Sequence, residues 1–251
     1  MIKSVFLILF GVHLLGDFYF QTQKMADRKR IRFSGTLFHS AVYAVTAWIL
    51  CTVFIPGMQW SYILAFALAH ALIDALKYGL CRFFRSRKFP VDERKVFLAD
   101  QGAHIVTIAG IAWCMRNLKM TELSNTGISA LFEAFDIPGM TVVRWAVVLL
   151  LIHKPANILI SNILSGYRPS DKTNPDVNDR NAGRMIGALE RIIMTIFLSI
   201  SQYSAVGLVL TAKSIARYDR ISKDQAFAEY YLLGTLLSTI VSIVVSLLFL
   251  P

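Results

Sequence analysis

Long apolar runs of about twenty residues, parted by short segments that hold most of the charge, dictate what this chain can become. Hydrocarbon offers no water to satisfy peptide groups, so a spanning segment must bond its own backbone, and runs of this length do so as helices. The composition agrees. Only 17% of the residues are charged, against about a quarter in soluble domains, 55% are hydrophobic, and the mean hydropathy is +0.54. The expected fold is all-α: a polytopic transmembrane bundle of about seven hydrophobic segments, one of them broken or re-entrant.

The first four spans are predicted at about 3–20, 34–55, 60–80 and 96–115. Basic loops follow the first (Lys24, Arg28, Lys29, Arg30, Arg32) and the third (Arg82, Arg85, Arg87, Lys88, Arg94, Lys95), and a turn around Pro56 and Gly57 separates the second and third. Positively charged loops stay on the cytoplasmic side. The N-terminus is therefore expected outside, in a multi-pass protein of a prokaryotic inner membrane. Residues 4–20 imitate a signal peptide but lack a small-residue cleavage site, so the span is expected to be retained. The net charge of +10 is assigned to lipid-facing loops rather than to nucleic acid, because no basic stripe sits on a soluble domain. Cys51, Cys81 and Cys114 are solitary and read as small packing residues.

The C-terminal half is harder to thread. A polar segment covers 118–140, with a short external helix expected around Ile128–Phe135. The segment 141–165 carries His153, Lys154 and Pro155 near its middle, and 183–217 is one long apolar stretch before a final span at about 227–250. Simple alternation of seven spans would put the basic segment 213–223 outside, against the charge rule. Either 141–165 breaks at Pro155, or 183–217 is a pair of half-helices split near Ser201 and Gln202. The expected domains are 1–117, an external segment 118–140, and 141–251.

Ionisable residues inside the first four spans are the chemical signal. His13 with Asp17, His70 with Asp74, and Asp100 with His104 are spaced i, i+4, so each pair shares a helix face, and His39 stands alone. A charge in hydrocarbon costs at least a few kcal/mol (about 2.5–3.5 on insertion scales), so these residues need a common purpose. Asp17 lies four residues before Gln21, where the first span gives way to the basic segment, and His39 seven after Arg32; Asp74 lies eight before Arg82 and Asp100 five after Lys95. At about 1.5 Å per residue, all four groups fall at similar depth near the cytoplasmic boundary. Four imidazoles and three carboxylates are a ligand set for Zn, Mn or Fe(II), and seven donors leave room for one ion or two. Gln21, Lys77 and Gln101 are candidates to orient the ligands. In the C-terminal half, Lys154, Asn157, Lys213, Ser214 and Arg217 could hold an anionic head group, or could be ordinary helix-end charges paired with Glu190 or Glu229.

The run from Val12 to Thr22, with His39, the stretch His70 to Lys77 and the stretch Asp100 to His104, resembles a prokaryotic family of integral membrane proteins catalogued as a domain of unknown function, the 3307 type. The resemblance covers about 5–115, and the runs Gly183–Arg191, Ala212–Arg217 and Ala228–Tyr231 look like the extension of its longer members. It implies a site but no reaction. The pattern is similar, more loosely, to membrane-bound metal-dependent hydrolases. Three functions compete. The first is a metal-dependent hydrolase of a lipid or amphiphile, with Asp17, Asp74 or Asp100 as base. The second is a divalent-cation or proton transporter or channel. The third is a non-catalytic subunit with a structural metal. Membrane lipids are expected partners, and self-association is left open.

Overall fold

The computed structural model describes residues 2–55, 57–117, 132, 134–168 and 177–250, with side chains left aside for 177–182. The described residues are all helix and connecting turn: α1 (Ile2–Leu14), a π-helical turn (Leu15–Tyr19), α2 (Gln23–Ile31), α3 (Phe33–Phe54), α4 (Trp60–Ser86), α5 (Glu93–Cys114), α6 (Gly139–Leu164), α7 (Val177–Ser199), α8 (Tyr203–Ala216), α9 (Tyr218–Lys223) and α10 (Gln225–Phe249). Among the described residues six helices are long and apolar enough to cross a membrane: α1 with its π turn, α3, α4, α5, α6 and α10. The chain is an all-α membrane protein. Most of the helix predicted at Ile128–Phe135 lies outside the described residues, as do 169–176 of the polar stretch between the segments 141–165 and 183–217; the rest of that stretch is partly helical, since α7 already begins at Val177.

Two compact units divide the chain, Met1–Val147 and Val148–Pro251. The division falls inside α6, a few residues past the boundary near 140 read from composition. In the first unit α1 touches α3 and α5, α3 touches α4, and α4 touches α5, which closes a four-helix circuit. The outer face of α4 carries Leu64, Leu68, Leu72, Leu76 and Leu80, all exposed and one turn apart. Such a ridge would be a liability in water, but lipid is its natural solvent. His70 and Asp74 are buried on the opposite face of the same helix.

The first basic segment is not a loop. Thr22, in an extended conformation, accepts from the backbone N–H of Met25 at 3.3 Å and starts α2. Lys and Arg are good helix formers, so the basic run continues the helix until Arg32, a single extended residue, turns the chain into α3. Gly35 makes this corner feasible: a Cβ there would lie 2.6 Å from the Arg28 carbonyl carbon. The second basic segment is likewise partly helical, since α4 runs through Arg82 and Arg85 to Ser86. It stops in a Schellman cap: Phe89 N–H bonds the Phe84 carbonyl at 3.0 Å, Lys88 N–H bonds Arg85 at 3.1 Å, and Lys88 adopts φ 59°.

In the second unit, of the two interruptions the sequence offers, the one near Ser201 and Gln202 is present. Ser201 (φ 58°) closes another Schellman cap, with Gln202 N–H on the Phe197 carbonyl at 2.8 Å, and α8 starts afresh at Tyr203. By contrast α6 runs through Pro155 unbroken. In the turn before the proline, the Ile152 carbonyl accepts from Arg191 Nε at 2.7 Å. Arg191 thus ties α7 to α6 in the turn ahead of the proline. The core here gathers Val148, Ile152 and Val245 with Ile192, Val241 and Phe249.

Candidate metal centre

Each of the five N-terminal helices sends at least one polar side chain into the middle of the first unit. His13 comes from α1, Lys29 from α2, His39 and Tyr43 from α3, His70, Asp74 and Lys77 from α4, and Asp100, Gln101 and His104 from α5. Asp17 sits in the π turn that ends the first span. A π turn widens the helix and re-aims its side chains, which turns Asp17 away from its sequence partner. Its Oδ2 is 3.9 Å from His13 Nδ1, whereas its Oδ1 is 3.1 Å from His39 Nε2 and 3.3 Å from His70 Nε2. All seven residues singled out in the sequence converge, and all but the slightly exposed Asp17 are buried.

The tightest part has four atoms. His39 Nε2 and His70 Nε2 are 3.2 Å apart. Asp74 Oδ2 is 3.5 Å from the first and 3.3 Å from the second. With the Asp17 distances, five of the six separations among these four atoms measure 3.1–3.5 Å. Four ligands at 2.0–2.1 Å from one zinc would stand about 3.3–3.4 Å apart. Protons alone satisfy this arrangement poorly. Each Nε2 carries at most one hydrogen, yet each faces the other nitrogen and two carboxylate oxygens at once. The residues present therefore fit a divalent ion. A second group, Asp74, Asp100 and His104, brings its ligand atoms within 4.8 Å of one another, as does the trio His13, His70 and His104. His104 Nε2, Asp74 Oδ1 and Asp100 Oδ1 are buried without a hydrogen-bond partner among the described residues.

Packing does the orienting that hydrogen bonds usually do. The Nδ1 atoms of His39 and His70 are buried without partners among the described residues. Instead the Tyr43 ring lies on His70 at 3.5 Å between centroids and 4° between planes, and His104 stacks on the other rings at 4.4 Å from His70 and 4.8 Å from His13. Gly16 makes room for Tyr43, because a Cβ there would come within 2.5 Å of that ring.

Two lysines and a glutamine complete the centre. Lys29 Nζ forms an ion pair with Asp74 Oδ2 at 2.6 Å, and Lys77 Nζ donates to Asp100 Oδ2 at 2.7 Å. Gln101 reaches His13 at 3.3 Å and donates to Asp100 Oδ2 at 3.3 Å, which is the outer position its spacing suggests. Lys77 has Asp74 as its neighbour on the same helix but crosses to α5 instead. Lys29 and Tyr43 are the residues that sequence reasoning misses. Lys29 counts as a loop charge for as long as the run 24–32 is read as a loop. Gln21 lies nearby, with its Oε1 buried and unbonded, rather than touching the ligands.

The C-terminal candidates lie in the second unit. Lys213 Nζ bonds Glu190 at 2.6 Å, the helix-end pairing that is the plainer of the two sequence readings. Ser214 Oγ donates to the Leu210 carbonyl at 2.9 Å, and Arg217 is exposed at the end of α8. Asn157 Oδ1 accepts from Arg191 Nη2 at 2.7 Å. Arg191 is 2% exposed and spends its guanidinium on three neutral acceptors, Ile152, Ser238 and Asn157. Lys154, on α6, is half-buried.

Fold and site together define a polytopic helical membrane protein with a buried histidine–aspartate centre in its N-terminal unit. Residues 5–129, about half of the chain, match the family described as "Protein of unknown function (DUF3307)", and this half of the chain belongs to it. No curated protein and no solved structure matches the chain.

Proposed function

We propose that the N-terminal unit is a divalent-metal centre and that the protein is a membrane-embedded metal-dependent hydrolase of a lipid or other amphiphile. The observation that carries the reading is the cluster of His39, His70, Asp17 and Asp74, in which the two imidazole Nε2 atoms lie 3.2 Å apart and each is 3.1–3.5 Å from a carboxylate oxygen of each aspartate. Zinc suits the donor set best, and Mn or Fe(II) share it. A divalent ion held there supplies Lewis acidity to the scissile group. Asp100 serves as the base: its Oδ1 has no hydrogen-bond partner among the described residues, and Lys77 fixes the carboxylate through Oδ2. There Asp100 takes the proton of the attacking water and later returns it to the leaving group. Lys29 holds Asp74 in place from the basic side of the bundle.

Charge patterning sets the orientation. Six spans with a returning α7–α8 pair give an even count of crossings, because α8 has 14 residues and at about 1.5 Å each is too short to cross alone. The basic segments 24–32, 82–95 and 213–223 then share one side, which is cytoplasmic by the positive-inside rule, in an inner membrane with the N-terminus outside. The centre sits near that leaflet.

Metal analysis of the purified full-length protein tests the reading. One zinc per chain is expected in the wild type, and loss of more than half of it in His39→Ala and in Asp17→Asn. Substoichiometric metal, unchanged in those variants, would refute a metal centre. Hydrolysis of a lipid panel by metal-loaded protein then separates an enzyme from a structural site. Zinc flux into proteoliposomes without any turnover would favour the transporter instead.

A further inference from the structure

A cavity of about 550 Å³ opens among α2, α4 and α5 and reaches the metal centre, since Asp74 is part of its wall. Five cationic side chains line it, Lys29, Arg30, Lys77, Arg82 and Arg85, against two acidic ones, Asp74 and Glu93. Their pairing is uneven. Lys29 and Lys77 neutralise site carboxylates at 2.6 and 2.7 Å. Arg30 and Arg85 share the single carboxylate of Glu93, at 2.8 and 2.7 Å. Among the described residues Arg82 meets no carboxylate; its guanidinium reaches only the Tyr78 hydroxyl, at 3.3 Å. The cavity wall therefore keeps positive charge in excess, with forked donors that suit a phosphate group. Ala26, Ile31 and Val96 add apolar surface to the same wall.

We propose that this cavity admits the phosphate-bearing head group of an anionic amphiphile, with Arg82 as its principal contact and its ester directed toward Asp74. The proposal rests on the hydrolase reading for what happens to the ester, but the binding step stands or falls separately. A cavity of this size lies within the range that holds small ligands, and it combines convergent polar groups with apolar wall as such sites do. Phosphate is favoured over carboxylate because three acceptor oxygens can engage several forked donors at once.

The test uses full-length protein in zwitterionic detergent, with binding measured by native mass spectrometry. The probes are dihexanoyl phosphatidate, dihexanoyl phosphatidylcholine and inorganic phosphate. Phosphatidate is expected to bind at least about tenfold more tightly than either of the others. Arg82→Gln is expected to lose about tenfold for phosphatidate, while Lys24→Gln, an exposed basic residue outside the cavity, loses less than about twofold. Equal binding of phosphatidylcholine, equal binding of inorganic phosphate, or an equal loss in Lys24→Gln would each overturn the proposal. Arg82 is exposed and not a ligand, so melting temperature and metal content should be unchanged in its variant. A wild type that binds phosphatidate but holds no metal would refute the hydrolase and leave this inference standing.

Discussion

Lys29→Met isolates the contribution of the residue that the sequence hides best. Methionine keeps the apolar stem and approximate volume, so packing changes little and the perturbation is the lost ammonium. Lys29 Nζ lies 2.6 Å from Asp74 Oδ2, and their side chains are 13% and 0% exposed. Removing one partner of a buried pair strands the other charge, which costs about 3–5 kcal/mol. For a unit of this size each kcal/mol moves the melting temperature by roughly 2–4 °C, so the metal-free variant should melt about 6–20 °C lower. A divalent ion on the same carboxylate changes that figure in a definite direction. Lysine and ion are like charges near one oxygen, so without Lys29 the ion should bind about tenfold more tightly, about 1.4 kcal/mol.

The assay is thermal unfolding of detergent-solubilised protein after chelation and again with saturating zinc. Zinc should raise both melting temperatures and narrow the gap between them. A second variant serves as the control: Lys29→Met with Asp74→Asn removes both charges and should recover most of the metal-free loss. A gap that zinc leaves unchanged or widens would refute the placement of an ion on Asp74. Failure of the double variant to recover would refute the ion-pair account itself.

Three further outcomes follow from the packing. Gly16→Ala puts a methyl within 2.5 Å of the Tyr43 ring and should cost about 1–3 kcal/mol of stability while lowering metal content, because Tyr43 orients His70. Lys88→Gly and Ser201→Gly each relieve a left-handed residue at a helix end and should stabilise by up to about 1 kcal/mol, seen as higher melting temperatures with unchanged metal binding. Arg191→Met strands the Asn157 side chain and the Ile152 carbonyl and should destabilise by about 2–5 kcal/mol, while Arg191→Lys, which cannot make all three bonds, should recover only part of that.

What the sequence discloses and what it hides divide along a physical line. Helix faces and depth are one-dimensional properties: i, i+4 spacing and distance from basic residues are enough to bring these seven side chains to one level. Pairing across helices is not one-dimensional. Asp17 meets His39 and His70 more closely than His13, and Lys77 meets Asp100 rather than Asp74, because the bundle circuit and a π turn decide those contacts. Lys29 is illegible for a related reason. Its role depends on α2 folding back at Arg32 against α3, and the local trace of that corner is Gly35, whose need for a bare Cα shows only once Arg28 is packed beside it.

Charge balance links the metal centre to the cavity beside it. With neutral imidazoles the centre holds three carboxylates, Asp17, Asp74 and Asp100, against two ammonium groups, Lys29 and Lys77, a net charge of −1 in a buried position. An isolated charge at such depth is costly, which supports the proposed binding of a cation. One divalent ion reverses the sign to +1, whereas two would leave +3 unless the lysines withdrew. A single resident ion is therefore favoured, although the ligand atoms form three overlapping groups. The reversed sign also gives an anionic head group a reason to approach, since a phosphate ester at Arg82 and the centre offsets that positive charge. On the proposed reading the acids that are expensive in a membrane site call for the ion, and the ion in turn favours the phosphate.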